Sequence, residues 1–154
     1  TSRLVGSEMC IRDRKKIVEK DEKETALRKV LNFGHTFGHA YEAGLGYSHK
    51  LNHGEAVILG MKTALNFSLR ENMLSKGEYN LVINHIDNSG LPCSIKKHFS
   101  IKDLNKILSF MIKDKKNNSE KINLVLLKNI GKPIFNKQYS KKKVNLFLRK
   151  FLTN

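Results

Sequence analysis

Apolar residues recur at helical spacing along most of this chain. Between Gly54 and Asn72 they fall at Val57, Met61, Ala64, Leu65 and Leu69, which is one stripe of an amphipathic helix. Lys15 to Leu31 is charged, with Ile17, Val18, Leu27, Val30 and Leu31 as its apolar positions, and reads as helix interrupted near Asp21 to Thr25. A helix over about Leu27 to Ala43 follows. Gly44 and Gly46 end it, because glycine tolerates the left-handed conformation of a helix terminus. Gly44 to Asn52 is then a loop.

Ser75 caps a helix over Lys76 to Asn88 that stops at Ser89-Gly90, and Leu91-Pro92 marks a turn. Ser100 caps another over Ile101 to Lys113, with Leu104, Ile107, Leu108 and Met111 on its apolar face. Asp114 to Lys121 is polar and turn-like. Ile122 to Leu127 and Pro133 to Phe135 read as short strands around Asn129-Ile130-Gly131-Lys132, a hairpin. Ser140 caps a last helix over Lys141 to Leu152. The predicted fold is mainly α: a helical bundle with one small β-hairpin.

Residues 1–13 carry no helical or strand period. Glu8 to Asp13 resembles a translated transposon end of the kind used in sequencing libraries. This stretch is expected to be a non-native or disordered leader, with the domain proper over 14–154. The chain is also expected to be the C-terminal part of something longer.

Composition narrows the function classes. The net charge is +15, which admits a nucleic-acid surface, an anionic membrane surface or an anionic small molecule. Aromatics make up only 8%, and no alternation of aromatic and basic residues offers stacking platforms, so nucleic acid is not the expected partner. No apolar run approaches the roughly 18 residues of a membrane span, and no membrane partner is expected. Cys10 and Cys93 form no disulfide framework, which favours a reduced, cytoplasmic setting.

The chemistry concentrates in Asn32-Phe33-Gly34-His35-Thr36-Phe37-Gly38-His39-Ala40 and in His53-Gly54-Glu55. His35 and His39 are four apart, on one helix face, and Gly34 and Gly38 flank them. A glycine inside a helix costs about 1 kcal/mol against alanine, so two of them suggest the close approach of a ligand or another backbone. The plainer alternative is a tight helix crossing with two satisfied histidines. His53 opens the next helix as a further zinc-ligand candidate. Glu55 could support a ligand ring from behind, or serve the helix dipole as an acid in the first turn. Arg28 and Asn32 precede His35 by seven and three residues and extend its face with a cation and an amide; Arg28 could equally pair with Glu24. Spacing alone pairs His35 with His39. His49 reads as an exposed loop residue, and His85 and His98 as surface or packing residues.

These residues resemble the 3-dehydroquinate synthase family. The likeness runs through Arg28-x-x-x-Asn32-Phe33-Gly34-His35-Thr36-Phe37-Gly38-His39-Ala40-x-Glu42, Gly46-Tyr47 and His53-Gly54-Glu55-Ala56-Val57. Asp21-Glu22-x-Glu24, Gly90-Leu91-Pro92, Asp114-Lys115-Lys116 and Ile130-Gly131-Lys132 fit it too. The resemblance implies a dehydroquinate synthase-like fold and a zinc- or cobalt- and NAD-dependent lyase of the shikimate pathway, homodimeric at full length. Its substrate would be the seven-carbon sugar phosphate DAHP, converted to 3-dehydroquinate and phosphate. The route would be oxidation by NAD, β-elimination, reduction and aldol closure.

It also implies that His35 and His53 bind the metal and that His39 faces the substrate as the catalytic histidine. Arg28, Asn32 and Lys132 would contact substrate with it. Arg14 stands where the family usually has a lysine. The family's N-terminal NAD-binding α/β domain is absent from this sequence, and with it the third metal ligand, so the chain alone is expected to be inactive and to hold zinc weakly. The alternatives are a sister sugar phosphate cyclase, an iron-type alcohol dehydrogenase domain, or a non-catalytic basic helical module for nucleic acid.

Overall fold

The computed structural model describes residues 2–23, 27–91, 94–113 and 121–153, with the backbone alone for 2–10 and 113. The predicted turn over Asp114 to Lys121 (apart from Lys121 itself), Pro92, Cys93 and the Glu24 partner proposed for Arg28 lie outside the described residues. Six α-helices follow in order: α1 (Ser2–Lys20), α2 (His35–Gly44), α3 (His53–Arg70), α4 (Lys76–Asn88), α5 (Leu104–Lys113) and α6 (Lys141–Thr153). Strands β1 (Lys121–Asn129) and β2 (Lys132–Ser140) separate α5 from α6 and pair antiparallel. Short 3-10 turns lie at Leu27–Asn32, Ile95–Lys97 and Ile101–Asp103. The mainly helical architecture with one hairpin is the one predicted.

α2, α3, α5, α6 and β1 enclose the main core. Phe37 and Tyr41 of α2, Leu59 and Phe67 of α3, and Ile107, Leu108 and Met111 of α5 are buried in it. So are Ile122, Leu124 and Leu126, the inward residues of β1, whose burial alternates as a half-buried strand requires. Phe147 of α6 packs edge-on against Phe67, with ring centroids 4.7 Å apart. Two hydroxyls deep in this core satisfy each other: Tyr41 and Thr63 are 2.8 Å apart, and Thr63 also donates to the Leu59 carbonyl.

Three expectations change. The stretch read as an aperiodic leader is helical in its backbone from Ser2 and runs without a break into the charged segment, so α1 ends at Lys20. The single helix predicted over Leu27 to Ala43 is two elements. A 3-10 turn ends at Asn32, Gly34 takes φ +80°, and α2 starts at His35. The strands are longer than predicted, because exposed polar residues such as Lys121, Lys137 and Gln138 carry no apolar pattern while their backbones stay paired. The caps at Ser75 and Ser140 accept from the backbone N–H groups of Glu78 and Lys143, and Ser100 closes a capping box with Asp103.

The break at Gly34 has a steric cause. A Cβ on Gly34 would stand 2.6 Å from the Met61 nitrogen, and one on Gly38 would stand 3.0 Å from the Ala56 carbonyl oxygen. A Cβ on Gly60 would stand 2.1 Å from the Gly34 oxygen and 2.7 Å from the Gly38 nitrogen. The three glycines therefore let α2 and α3 cross with their backbones in contact. Of the two explanations for glycines beside the histidines, approach of another backbone is the one the fold uses.

Candidate metal and substrate site

The crossing of α2 and α3 sets three imidazoles against one another. His35 and His39 lie on α2, and His53 is the first residue of α3. Ring centroids are 5.5 Å apart for His35 and His39, 5.9 Å for His35 and His53, and 5.9 Å for His39 and His53. His35 is half-buried, whereas His39 and His53 are exposed. The remaining histidines stand apart, as predicted: His49 and His85 are exposed, and His98 lies beside Phe99.

Each of two rings has one nitrogen already engaged. Nδ1 of His35 lies 3.3 Å from the Phe33 carbonyl oxygen, and Nδ1 of His53 lies 3.0 Å from Oε2 of Glu42. A carbonyl or carboxylate can only accept, so the proton sits on Nδ1 in each neutral ring and Nε2 keeps its lone pair. That is the tautomer a metal ligand needs. His35 is also held below its ordinary pKa, chiefly by burial, against a smaller opposing effect of its bond to Phe33. The charges of His39, His53 and Arg14 lower it further. A histidine kept neutral in this way is ready to ligate. The donor set thus fits a borderline divalent ion such as Zn2+ or Co2+.

A second grouping overlaps the first. Ligand atoms of His39, Glu42 and His53 all lie within 4.8 Å of one another, the one such group among the described residues. Glu42 is the participant that residue-by-residue reasoning left out, although it belongs to the family motif. The signal was in the sequence: it follows His35 by seven and His39 by three, on their helix face. Glu55 does not take the supporting role. Its Oε2 accepts from the Asn52 N–H at 2.8 Å, closing a capping box at the start of α3.

The other predicted site residues are placed differently from what spacing implied. Arg28 and Asn32 belong to the 3-10 turn, and the reversal at Gly34 removes them from the α2 face. The Arg28 N–H donates to Asp21, and its guanidinium donates to the Glu22 carbonyl. Lys132 is exposed at the hairpin turn, paired with Asn129. β1 meets α2 where the Thr36 hydroxyl donates to the Asn123 carbonyl. Asn129 lies six residues further on, about 20 Å along the strand. Lys132 sits at the turn end of the hairpin, away from the Thr36 contact.

Comparison with known proteins gives the family and the fold. The model of the 3-dehydroquinate synthase C-terminal family matches residues 6–117. The chain is 61% identical over 140 residues to the 3-dehydroquinate synthase of Pelagibacter ubique, covering 91% of this chain and 38% of that protein. It is 38% identical over 148 residues to the enzyme of Zymomonas mobilis, covering 96% and 39%. The chain thus spans about two fifths of the length of these relatives.

Among solved structures, 2-deoxy-scyllo-inosose synthase complexed with carbaglucose-6-phosphate, NAD+ and Co2+ superposes with a TM-score of 0.76 at 24% identity, over 92% of this chain and 40% of that one. A 2-epi-5-epi-valiolone synthase from Streptomyces hygroscopicus subsp. jinggangensis with NAD+ and Zn2+ bound gives 0.73 at 19% identity, over 96% and 39%. At these identities the likeness establishes the fold. With the family model covering most of its length, this chain belongs to the 3-dehydroquinate synthase C-terminal family.

Proposed function

We propose that this chain supplies the metal- and substrate-facing part of an enzyme that converts DAHP to 3-dehydroquinate and phosphate. The observation that carries the reading is the convergence of His35, His39 and His53, with Nδ1 of His35 and of His53 already tied to an acceptor. His35 and His53 would hold the ion through Nε2. When bound, the ion supplies Lewis acidity toward the substrate's hydroxyl and carbonyl oxygens, and NAD supplies a reversible hydride acceptor.

The chain's own residues orient the substrate and move protons. His39 is exposed beside the two ligand rings, where its imidazole can exchange a proton with bound substrate. Arg28 keeps guanidinium donors beyond the one spent on Glu22, and Asn32 adds an amide; together they suit a phosphate or carboxylate. Arg14, whose charge acts weakly on His35, would add a cation on that side. Lys132, exposed at the hairpin turn, would be a further cation toward the substrate. The same reading carries a cytoplasmic homodimer at full length.

A chimera tests it. The Pelagibacter relative's own C-terminal two fifths is replaced by this chain, and DAHP turnover is followed by phosphate release. The chimera is expected to turn over DAHP, the His39→Ala chimera to lose about a hundredfold or more in kcat, and the isolated chain to show none. A folded chimera inactive on DAHP but active on another heptose phosphate would move the chain to a sister cyclase. Turnover by the isolated chain would overturn the reading of it as a partial site.

A further inference from the structure

The acid that meets His53 lies on the helix that carries His35. Glu42 accepts at 3.0 Å from Nδ1 of His53, and its side chain is 14% exposed against 59% for the imidazole. An exposed ring on the first residue of a helix has little packing to fix its rotamer. A half-buried carboxylate on a rigid neighbouring helix can fix it. Glu55, the competing acid, is committed to the cap of α3. The backbones of α2 and α3 meet where Gly34 and Gly38 face Gly60, which holds the two helices close together.

We infer that Glu42 is a positioning residue, whose hydrogen bond from Nδ1 of His53 fixes the ring so that Nε2 faces the ion shared with His35. This rests on the metal reading above. The two ligand rings would then be prepared alike, one by the Phe33 carbonyl and one by a carboxylate.

The experiment reads the tautomer of His53 by long-range nitrogen–proton NMR on metal-free protein, and zinc affinity by titration calorimetry. The wild type is expected to carry the His53 proton on Nδ1. In Glu42→Ala the proton is expected to move largely to Nε2, with zinc affinity about tenfold to a hundredfold lower. Glu42→Gln keeps an acceptor oxygen and is expected to retain both the tautomer and affinity within a few-fold.

An Nε2 proton in the wild type would overturn the inference whether or not any variant folds. A zinc loss in Glu42→Gln as large as in Glu42→Ala would also overturn it, because Glu42 would then be a ligand itself. Zinc binding lost in His35→Ala but unchanged in Glu42→Ala would remove the role of Glu42 and leave the metal site standing. Zinc binding unchanged in both would remove the metal site.

Discussion

Several side chains in this protein are held by committed hydrogen bonds. His35 and His53 each have Nδ1 spoken for, and Glu78 shows the same economy away from the site. Its carboxylate accepts from the Ile130 N–H, the Ser75 hydroxyl and the Asn129 amide, joining α4 to the hairpin turn. The Ile130 N–H is the largest of the influences that hold its pKa below the ordinary 4.5, with Ser75 next. A carboxyl depressed on folding stabilises the folded state above its unfolded pKa and loses that contribution as pH falls through the folded value. Melting temperature is therefore expected to drop below about pH 4.5, and less steeply in Glu78→Gln than in wild type. Equal slopes would show that Glu78 carries none of the acid sensitivity.

At this scale the sequence was partly legible. His35, His39 and His53 do converge, and Glu42 stood in the same motif. The hydrogen bond from His53 to Glu42 instead of Glu55 was not legible, because both acids are near in sequence. Only the crossing of α2 over α3 decides between them.

Elements follow from pattern where the pattern is periodic. α4 and α6 start where Ser75 and Ser140 cap them, and α5 presents Leu104, Ile107, Leu108 and Met111 to the core. The failure at Leu27 to Ala43 is instructive. Apolar spacing runs through the break, and only the tertiary contact of Gly34 with Met61 shows why a left-handed residue must sit there. Strand length was underestimated for a related reason: a solvated edge carries backbone pairing without an apolar signal.

The glycine crossing makes a sharp prediction. Gly60→Ala has no room and is expected to cost about 3 kcal/mol or more in chemical denaturation, and to weaken zinc binding by moving His53 from His35. Gly77→Ala on α4 meets nothing within 4 Å and is expected to stabilise by up to about 1 kcal/mol. Equal effects from the two would contradict the crossing.

At the scale of the whole molecule, the site is one-sided. Among the described residues no helix is long and apolar enough to cross a membrane, and the full sequence carries a net charge of +15 from 29 basic and 14 acidic residues. The basic residues are spread along the chain, so the charge by itself marks no one patch. Two imidazoles leave a catalytic zinc short of the roughly three protein ligands such sites use, so weak affinity is the expected property of this chain alone. The chain spans about two fifths of the length of its relatives.

The most direct test of the account is a zinc titration of the chain, followed by the imidazole C–H resonances of all six histidines. The account predicts one saturable site that shifts His35 and His53 together and leaves His49, His85 and His98 in place. His35→Ala and His53→Ala should each lose about tenfold or more in affinity, while His39→Ala stays within a few-fold of wild type. Zinc that shifts the outlying histidines equally, or that is lost as fully in His39→Ala as in His35→Ala, would contradict the assignment of His35 and His53 as the metal pair.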